Sequence, residues 1–423
     1  VSEPHIHATR AAVDAVWRIE SARLIGGLVR MVRDVGLAED LAQAALVTAM
    51  ERWPEAGIPE NPGAWLMATA RNRAIDEMRR KQMMERKHDQ LEELPLPQAI
   101  DLDAVIDEGV GDDTLRLMLV ACHPLLSRDA RVALTLRLLG GLTTEEIARA
   151  FLVTEPTVAQ RIVRAKRTLM EARVRFEVPR GRELSERLSS VLEAIYLIFN
   201  EGYSATKGDD WTRPSLCEEA LRLGRILAEL ASEEAEVHGL VALMEIQASR
   251  LEARVGPSGE PVLLLDQDRS RWDPLLVHRG LAALARAEAR SQPLGSYALQ
   301  AAIAACHARA RTATETDWAR IVALYDGLVE LTKSPVVELN RAVAVSMAFG
   351  PAAALELCDA LVEEPALAAY HLLPSVRGDL LMKLGQTEEA ARELERAAKM
   401  TENTRERELL LARVRTLRQR DLA

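Results

Sequence analysis

Helical periodicity runs through almost all of this chain and leaves little room for anything but helix. Ala, Leu, Arg and Glu dominate, and apolar residues recur at steps of three and four, the spacing that draws one apolar stripe down an α-helix. Strand signals are nearly absent; residues 262–265 are the only candidate, and a short one. Prolines fall between the periodic stretches, at Pro54/Pro59/Pro62, Pro95/Pro97, Pro257/Pro261 and Pro365, where they mark loops. The expected fold class is all-α. A hydrophobic fraction of 48% over 423 residues suffices for packed cores in two or three domains and excludes wholesale disorder. No apolar run approaches the roughly 20 residues of a membrane span. The opening VSEPHIHATR lacks a signal-peptide pattern, so the expectation is a cytoplasmic protein with no membrane association.

Charge divides the chain further. The net charge is −10, which taken alone argues against a nucleic-acid partner. Its distribution argues the other way. Residues 61–87 carry a net +4 and residues 156–182 a net +6. Between them, residues 88–113 hold nine Asp/Glu and no Lys or Arg. Two cationic helices joined by an acidic tether suit two separate contacts on a duplex, because phosphate neutralisation supplies the general affinity. The domain boundaries expected from this pattern are 10–87, an acidic linker at 88–113, 114–176, and a helical region at 183–423.

The segment from Thr143, TTEEIARAFLVTEPTVAQRIVRAKRTL, carries the most specific local signal. Thr143 or Thr144 can cap a helix, and Thr143 with Glu146 has the spacing of a capping box. Ile147 and Ala148 face inward, Val153 plugs a turn over residues 152–154, and Thr154 with Pro156 opens a second helix. Val158, Ile162 and Leu169 supply that helix's apolar stripe. The pattern is a helix-turn-helix. Its second helix presents Glu155, Thr157, Gln160, Arg161 and Arg164 outward, side chains suited to base edges in the major groove, with Lys166 and Arg167 as further cationic contacts.

This motif resembles the −35-reading region 4 of sigma-70 family factors. The first block resembles region 2: LAEDLAQAALVTAMERW at 37–53 is similar to the helix that docks on the polymerase clamp. GAWLMATARNRAIDEMRRK at 63–81 is similar to the −10-reading and melting segments. The absence of further sigma regions fits the extracytoplasmic-function group. The run YLIFNEGYSA at 196–205 and the helical remainder resemble the subgroup with a tetratricopeptide-like extension. The resemblance implies that Asp40 and Gln43 face the clamp of core RNA polymerase. It implies that Glu60 and Asn61, in the proline-rich loop 53–63, lie where the family holds a flipped −10 base. It places Arg71, Asn72, Arg73, Arg79 and Arg80 on −10 DNA, and threads the acidic linker through the polymerase. Trp65 is expected to pack in the core rather than stack on a base.

In the C-terminal half, LGQTEEAARELERAAKM at 384–400 resembles the second half of a tetratricopeptide repeat, and Gly350-Pro351 precedes Gly385-Gln386 by 35 residues, close to the repeat period. Asp266, Asp268 and Asp273 in DQDRSRWDP lack the Gly and closing Glu of a calcium loop, so a structural or contact loop is expected. The four cysteines are scattered without a CxxC pair, which supports neither disulfides nor zinc. Cys122-His123 and Cys306-His307, adjacent on helices, are poor chelates. No P-loop, nucleophile elbow or HExxH motif occurs. The expectation is a non-enzymatic promoter-specificity subunit that needs no cofactor or metal. Its partners would be core polymerase and promoter DNA, with a protein partner or an intramolecular contact for the C-terminal domain. A stand-alone helix-turn-helix regulator with a sensing repeat domain is the alternative; such a regulator would need no clamp-docking helix.

Overall fold

The computed structural model describes residues 3–88, 110–206, 208–290 and 293–421. Most of the acidic tether, 89–109, lies outside the described residues. Among those described there are eighteen α-helices and no strand, and the chain divides into two compact units, Val1–Ile195 and Tyr196–Ala423.

The first unit contains α1 (Glu3–Val32), α2 (Val35–Ala56), α3 (Pro62–His88), α4 (Val110–Ala121), α5 (Arg128–Leu138), α6 (Thr144–Ala150) and α7 (Glu155–Glu171). α8 (Arg182–Tyr203) crosses the division between the units. Helix α4 begins at Val110, so the last residues assigned to the tether are helical. α1, α2 and α3 pack on one another around Ile25, Leu28, Ala42, Trp53, Leu66 and Ala70, all buried. α4 also packs on α1. Leu117, Leu134, Leu136 and Ile162 are buried among α4, α5 and α7. At Gly141 (φ +66°) a Cβ would sit 3.1 Å from Ser21 Oγ and 3.2 Å from Trp17 Cδ1. The loop before α6 therefore approaches α1 with its backbone, in a conformation that favours glycine.

The second unit continues with α9 (Pro214–Leu230), α10 (Ala235–Ala248), α11 (Pro274–Glu288), α12 (Ser296–Arg309), α13 (Trp318–Thr332), α14 (Pro335–Phe349), α15 (Pro351–Ala360), α16 (Leu372–Lys383), α17 (Thr387–Met400) and α18 (Thr404–Asp421). Successive helices pack on each other. Their cores follow in series, from Leu243/Ile246/Leu284 through Ile321/Leu339/Val345 to Leu394/Leu410/Val414. Small residues permit the close approaches: a Cβ on Gly239 of α10 would lie 2.6 Å from Ala298 N of α12. The strand candidate at 262–265 is not a strand. Pro261 pairs with Val255 in one isolated bridge, and Leu264–Asp266 is a 3₁₀ turn. A proline lacks the N–H a ladder needs.

Candidate nucleic-acid interface

The helix-turn-helix is built by local chemistry. Thr143 and Glu146 close a full capping box: Glu146 N donates to Thr143 Oγ1 at 3.1 Å and Thr143 N donates to Glu146 Oε2 at 2.8 Å. Leu152 takes a left-handed conformation (φ +48°) in the turn. Thr154 occupies the N-cap position of α7 without a side-chain cap bond; its hydroxyl meets that of Thr157 at 2.8 Å. Val158, Ile162, Ala165 and Leu169 form the buried stripe of α7.

The outward face holds Glu155, Gln160, Arg164 and Arg167, all exposed, with Thr157 and Arg161 half-buried. Arg161 Nη2 is 2.8 Å from Asp129 Oδ2 in the first turn of α5, and Arg167 pairs with Glu171 at 2.7 Å along its own helix. Lys166 turns the other way. Its ammonium pairs with Glu39 of α2, so in this arrangement it does not point with the rest of the cationic face.

Glu39 is the residue that sequence reasoning missed. It is only 3% exposed, and Arg137 Nε of α5 lies 2.6 Å from its Oε1. Gln43 Nε2 donates to the same oxygen at 2.5 Å. One buried carboxylate on α2 thus receives cations from α5 and α7. Asp113 repeats the device: buried on α4, it lies 3.4 Å from Arg30 Nη1 of α1 and 2.8 Å from Arg116 Nη1. A charge beside the buried stripe of α2 was the available signal, but its partners lie roughly a hundred positions away.

On the first lobe, Asp40 is exposed beside the half-buried Gln43. Glu60 and Asn61 are exposed in the loop before α3. Asn61 Oδ1 accepts from Ala64 N at 3.0 Å, which caps α3 ahead of Pro62. Trp53 and Trp65 meet edge to face with centroids 5.5 Å apart, so Trp65 does pack on the core. Asn72, Arg79 and Arg80 are exposed and Arg71 is half-buried. Arg73 Nη2 donates to Thr48 Oγ1 of α2 at 2.8 Å, and Arg80 lies 3.4 Å from Glu77.

Elsewhere, Asp268 accepts from Ser270 N, and Asp273 accepts from Leu275 N and Leu276 N to cap α11. These carboxylates serve turns. The four cysteines are free and buried. Among the described residues no cluster of metal-ligating side chains occurs, and no helix is long and apolar enough to cross a membrane.

A helical lobe carrying a basic helix, paired with a basic helix-turn-helix lobe, is the architecture of a sigma factor's two promoter-binding regions. Residues 19–83 match Sigma-70 region 2, and residues 116–169 match Sigma-70, region 4. Residues 187–288 match a family of unknown function, DUF6596. An uncharacterized protein of Rhizobium meliloti, R00370, is 42% identical over 384 residues, 90% of each chain. A probable ECF RNA polymerase sigma factor SigI of Mycobacterium tuberculosis is 29% identical over 176 residues, covering 39% of this chain and 57% of that protein. The ECF RNA polymerase sigma factor SigK of Mycobacterium ulcerans is 28% identical over 151 residues, 35% of this chain and 78% of that one. No solved structure matches the chain. The chain belongs to the same family as the Rhizobium protein, which it matches over 90% of both lengths, and it carries the Sigma-70 regions 2 and 4 of an RNA polymerase sigma factor.

Proposed function

We propose that the protein acts as an extracytoplasmic-function sigma factor in the cytoplasm, with a C-terminal helical extension that supports initiation. Asp40 and Gln43 of α2 dock on the polymerase clamp. Arg71, Asn72, Arg73, Arg79 and Arg80 of α3 engage −10 DNA, with Glu60 and Asn61 at the loop that takes an extruded base. Glu155, Thr157, Gln160, Arg161 and Arg164 of α7 read the −35 element, and Arg167 contacts phosphate.

One observation carries this reading: the helix-turn-helix face of α7 stands in the same unit as a region 2 lobe whose α2 keeps Asp40 exposed. A regulator working alone would need only the first of these. The Glu39 cluster supports polymerase dependence. With Lys166 and Arg137 drawn onto Glu39, the reading helix is held against the clamp-docking helix. Core binding would separate the two lobes and return Lys166 to the DNA face, where it contacts phosphate. Ion pairs suit such a contact, because a buried pair adds little net stability and both partners regain water when it parts.

The test is run-off transcription with core polymerase. Asp40→Arg with Gln43→Ala is expected to lose core binding while far-UV circular dichroism is unchanged. Removal of the extension after Ile195, which keeps the Arg128 and Arg131 pairs with Glu193, is expected to lower transcription. Activity that rises on truncation would overturn the supporting role. Nanomolar promoter binding by the free protein would overturn polymerase dependence.

A further inference from the structure

The C-terminal unit buries cations that no carboxylate meets. Six side chains alternate in a row: Trp211, Arg254, Tyr203, Arg250, Trp272 and Arg269. The guanidinium carbon of Arg254 lies 3.7 Å from the centroid of Tyr203 and 5.4 Å from that of Trp211. That of Arg250 lies 5.7 Å from Tyr203 and 5.5 Å from Trp272, and that of Arg269 lies 5.2 Å from Trp272. The ring faces offset part of this charge. Neutral oxygens take part of the rest. Arg250 donates to Tyr203 Oη at 2.5 Å, Arg254 to Tyr203 O at 3.1 Å, and Arg269 to the carbonyls of His307 and Ala310 at the end of α12. Among the described residues none of the three guanidiniums forms an ion pair. Glu315, whose charge reaches Arg269 from a distance, accepts from Arg311 N.

The same place gathers polar atoms without partners. Nε of Arg250, Arg254 and Arg269, Nε1 of Trp211 and Trp272, Oε1 of Gln267 and Nδ1 of His307 are all buried and unbonded. Five of these seven are obligate N–H donors. An unmet buried polar group costs about 1–3 kcal/mol, so a fold that collects so many donors in one spot, beside three cations, has room in its energetics for an anion. Burial already lowers Arg254 and Arg269 from the usual arginine value, and holds His307 down to about 4 with help from Arg250 and Arg269. Negative charge is what the cluster lacks.

We propose that this row of arginines and aromatic rings is a binding site for a small oxyanion, the phosphate or carboxylate group of a metabolite-sized molecule. A duplex or a protein surface does not fit the burial. Arg250 is 8% exposed, Gln267 and Trp272 are 7%, and His307 is 8%. Tyr203, Trp211, Arg254 and Arg269 are half-buried, so a ligand would reach the row past them. All six members of the row fall within residues 187–288, the segment matching a family of unknown function. Oxyanion binding would tie the end of α8, the loop before α9, the turn after α10 and the end of α12 to one ligand. It would thereby give the extension a chemical input.

The experiment uses the full-length protein and does not depend on its role in transcription. Thermal unfolding and titration calorimetry are run with inorganic phosphate, with succinate, and with chloride at matched ionic strength. The expected result is saturable stabilisation by phosphate or succinate that chloride does not reproduce. A response to phosphate alone identifies a phosphate-bearing ligand, and a response to succinate alone a carboxylate. Arg250→Gln and Arg269→Gln should each weaken binding at least tenfold, while Arg392→Gln, on α17 and outside the row, should leave it unchanged. Where Arg250→Gln does not fold, Arg254→Lys, which keeps the charge but not the planar donor set, should weaken binding severalfold. The proposal is overturned if neither anion differs from chloride on the wild-type protein, or if Arg392→Gln weakens binding as much as the row variants do.

Discussion

In the N-terminal unit the deeply buried carboxylates face opposite charges: Glu39 meets Arg137 and Lys166, and Asp113 meets Arg30 and Arg116. In the C-terminal unit Arg250, Arg254 and Arg269 rest on aromatic rings and carbonyl oxygens instead. The first arrangement gives every buried carboxylate a counter-charge from another helix, so it can open and leave each partner solvated. The second is electrostatically incomplete and built into turns that close the local fold. One is suited to a contact that must come apart, the other to a site that must be filled.

Breaking the first arrangement from one side should have the largest effect. Glu39→Gln leaves the half-buried Arg137 and Lys166 with no counter-charge; breaking a buried pair from one side typically costs about 3–5 kcal/mol. Loss of amide hydrogen-exchange protection in α2 and α7 measures it. Replacing all three residues together, as Glu39→Leu, Arg137→Met and Lys166→Met, should be far milder, because no charge is then stranded. A Glu39→Gln cost below about 1 kcal/mol, the scale of a surface pair, would reduce the contrast between the units to nothing.

The second arrangement has a pH signature. His307 is pushed down to about 4, first by burial and then by Arg250 and Arg269. The folded state therefore holds this ring neutral while the unfolded chain protonates it near its ordinary value of 6.5. Stability is undiminished above about pH 6.5 and falls as pH drops from there towards 4, by at most about 3 kcal/mol. His307→Gln should flatten that part of the curve in urea unfolding followed from pH 7 to 4. His123, lowered to about 4 by burial and Arg187, gives the matching control in the first unit through His123→Gln. If only the His123 variant flattens the profile, the electrostatic description of the second unit is wrong.

These two clusters also mark where the sequence stops being readable. The helix-turn-helix was legible because its signals are local: the capping box of Thr143 and Glu146, Pro156 in the first turn, and the stripe of Val158, Ile162 and Leu169. So was the all-helical class, since helical periodicity is repeated in every segment. Glu39 and Arg137 lie 98 positions apart, and no spacing rule links them. The row in the second unit draws on residues 203 to 272. Arg269 and Trp272 were visible only as parts of a charged contact loop, and Tyr203 only as part of a family-like run. Thr154 does sit at the N-cap of α7, but its hydroxyl meets that of Thr157 and caps no backbone N–H. Pairing over long distances, and competition among short ones, are settled by tertiary packing.

The surfaces assigned to DNA sharpen the contrast at a smaller scale. Arg164 is exposed, whereas Arg161 is held by Asp129. Arg164→Ala should cost about 1–3 kcal/mol and relax preference at one −35 position. Asp129→Ala releases Arg161 and should change transcription from −35 variants without weakening α7 itself. Lys166→Ala should weaken all promoters alike and reduce the salt dependence. Unchanged −35 ranking with both Arg161→Ala and Arg164→Ala would remove α7 from base reading.

The smallest effect concerns Asn61, which has two competing roles. Its Oδ1 already accepts from Ala64 N and caps α3, while its assigned role is to hold a flipped −10 base. With Oδ1 committed to the cap in the free protein, the amide N–H₂ is the group that would donate to a base. Asn61→Ala should cost about 1 kcal/mol of stability through the lost cap, and Asn61→Asp should restore the cap while removing the amide donors. The two substitutions therefore separate the roles. If Asn61→Asp recovers stability but not strand opening, measured by permanganate reactivity of −10 thymines in the holoenzyme, the amide reads the base. If it recovers both, Asn61 acts through the cap alone, and recognition of the extruded base passes to Glu60 and the arginines of α3.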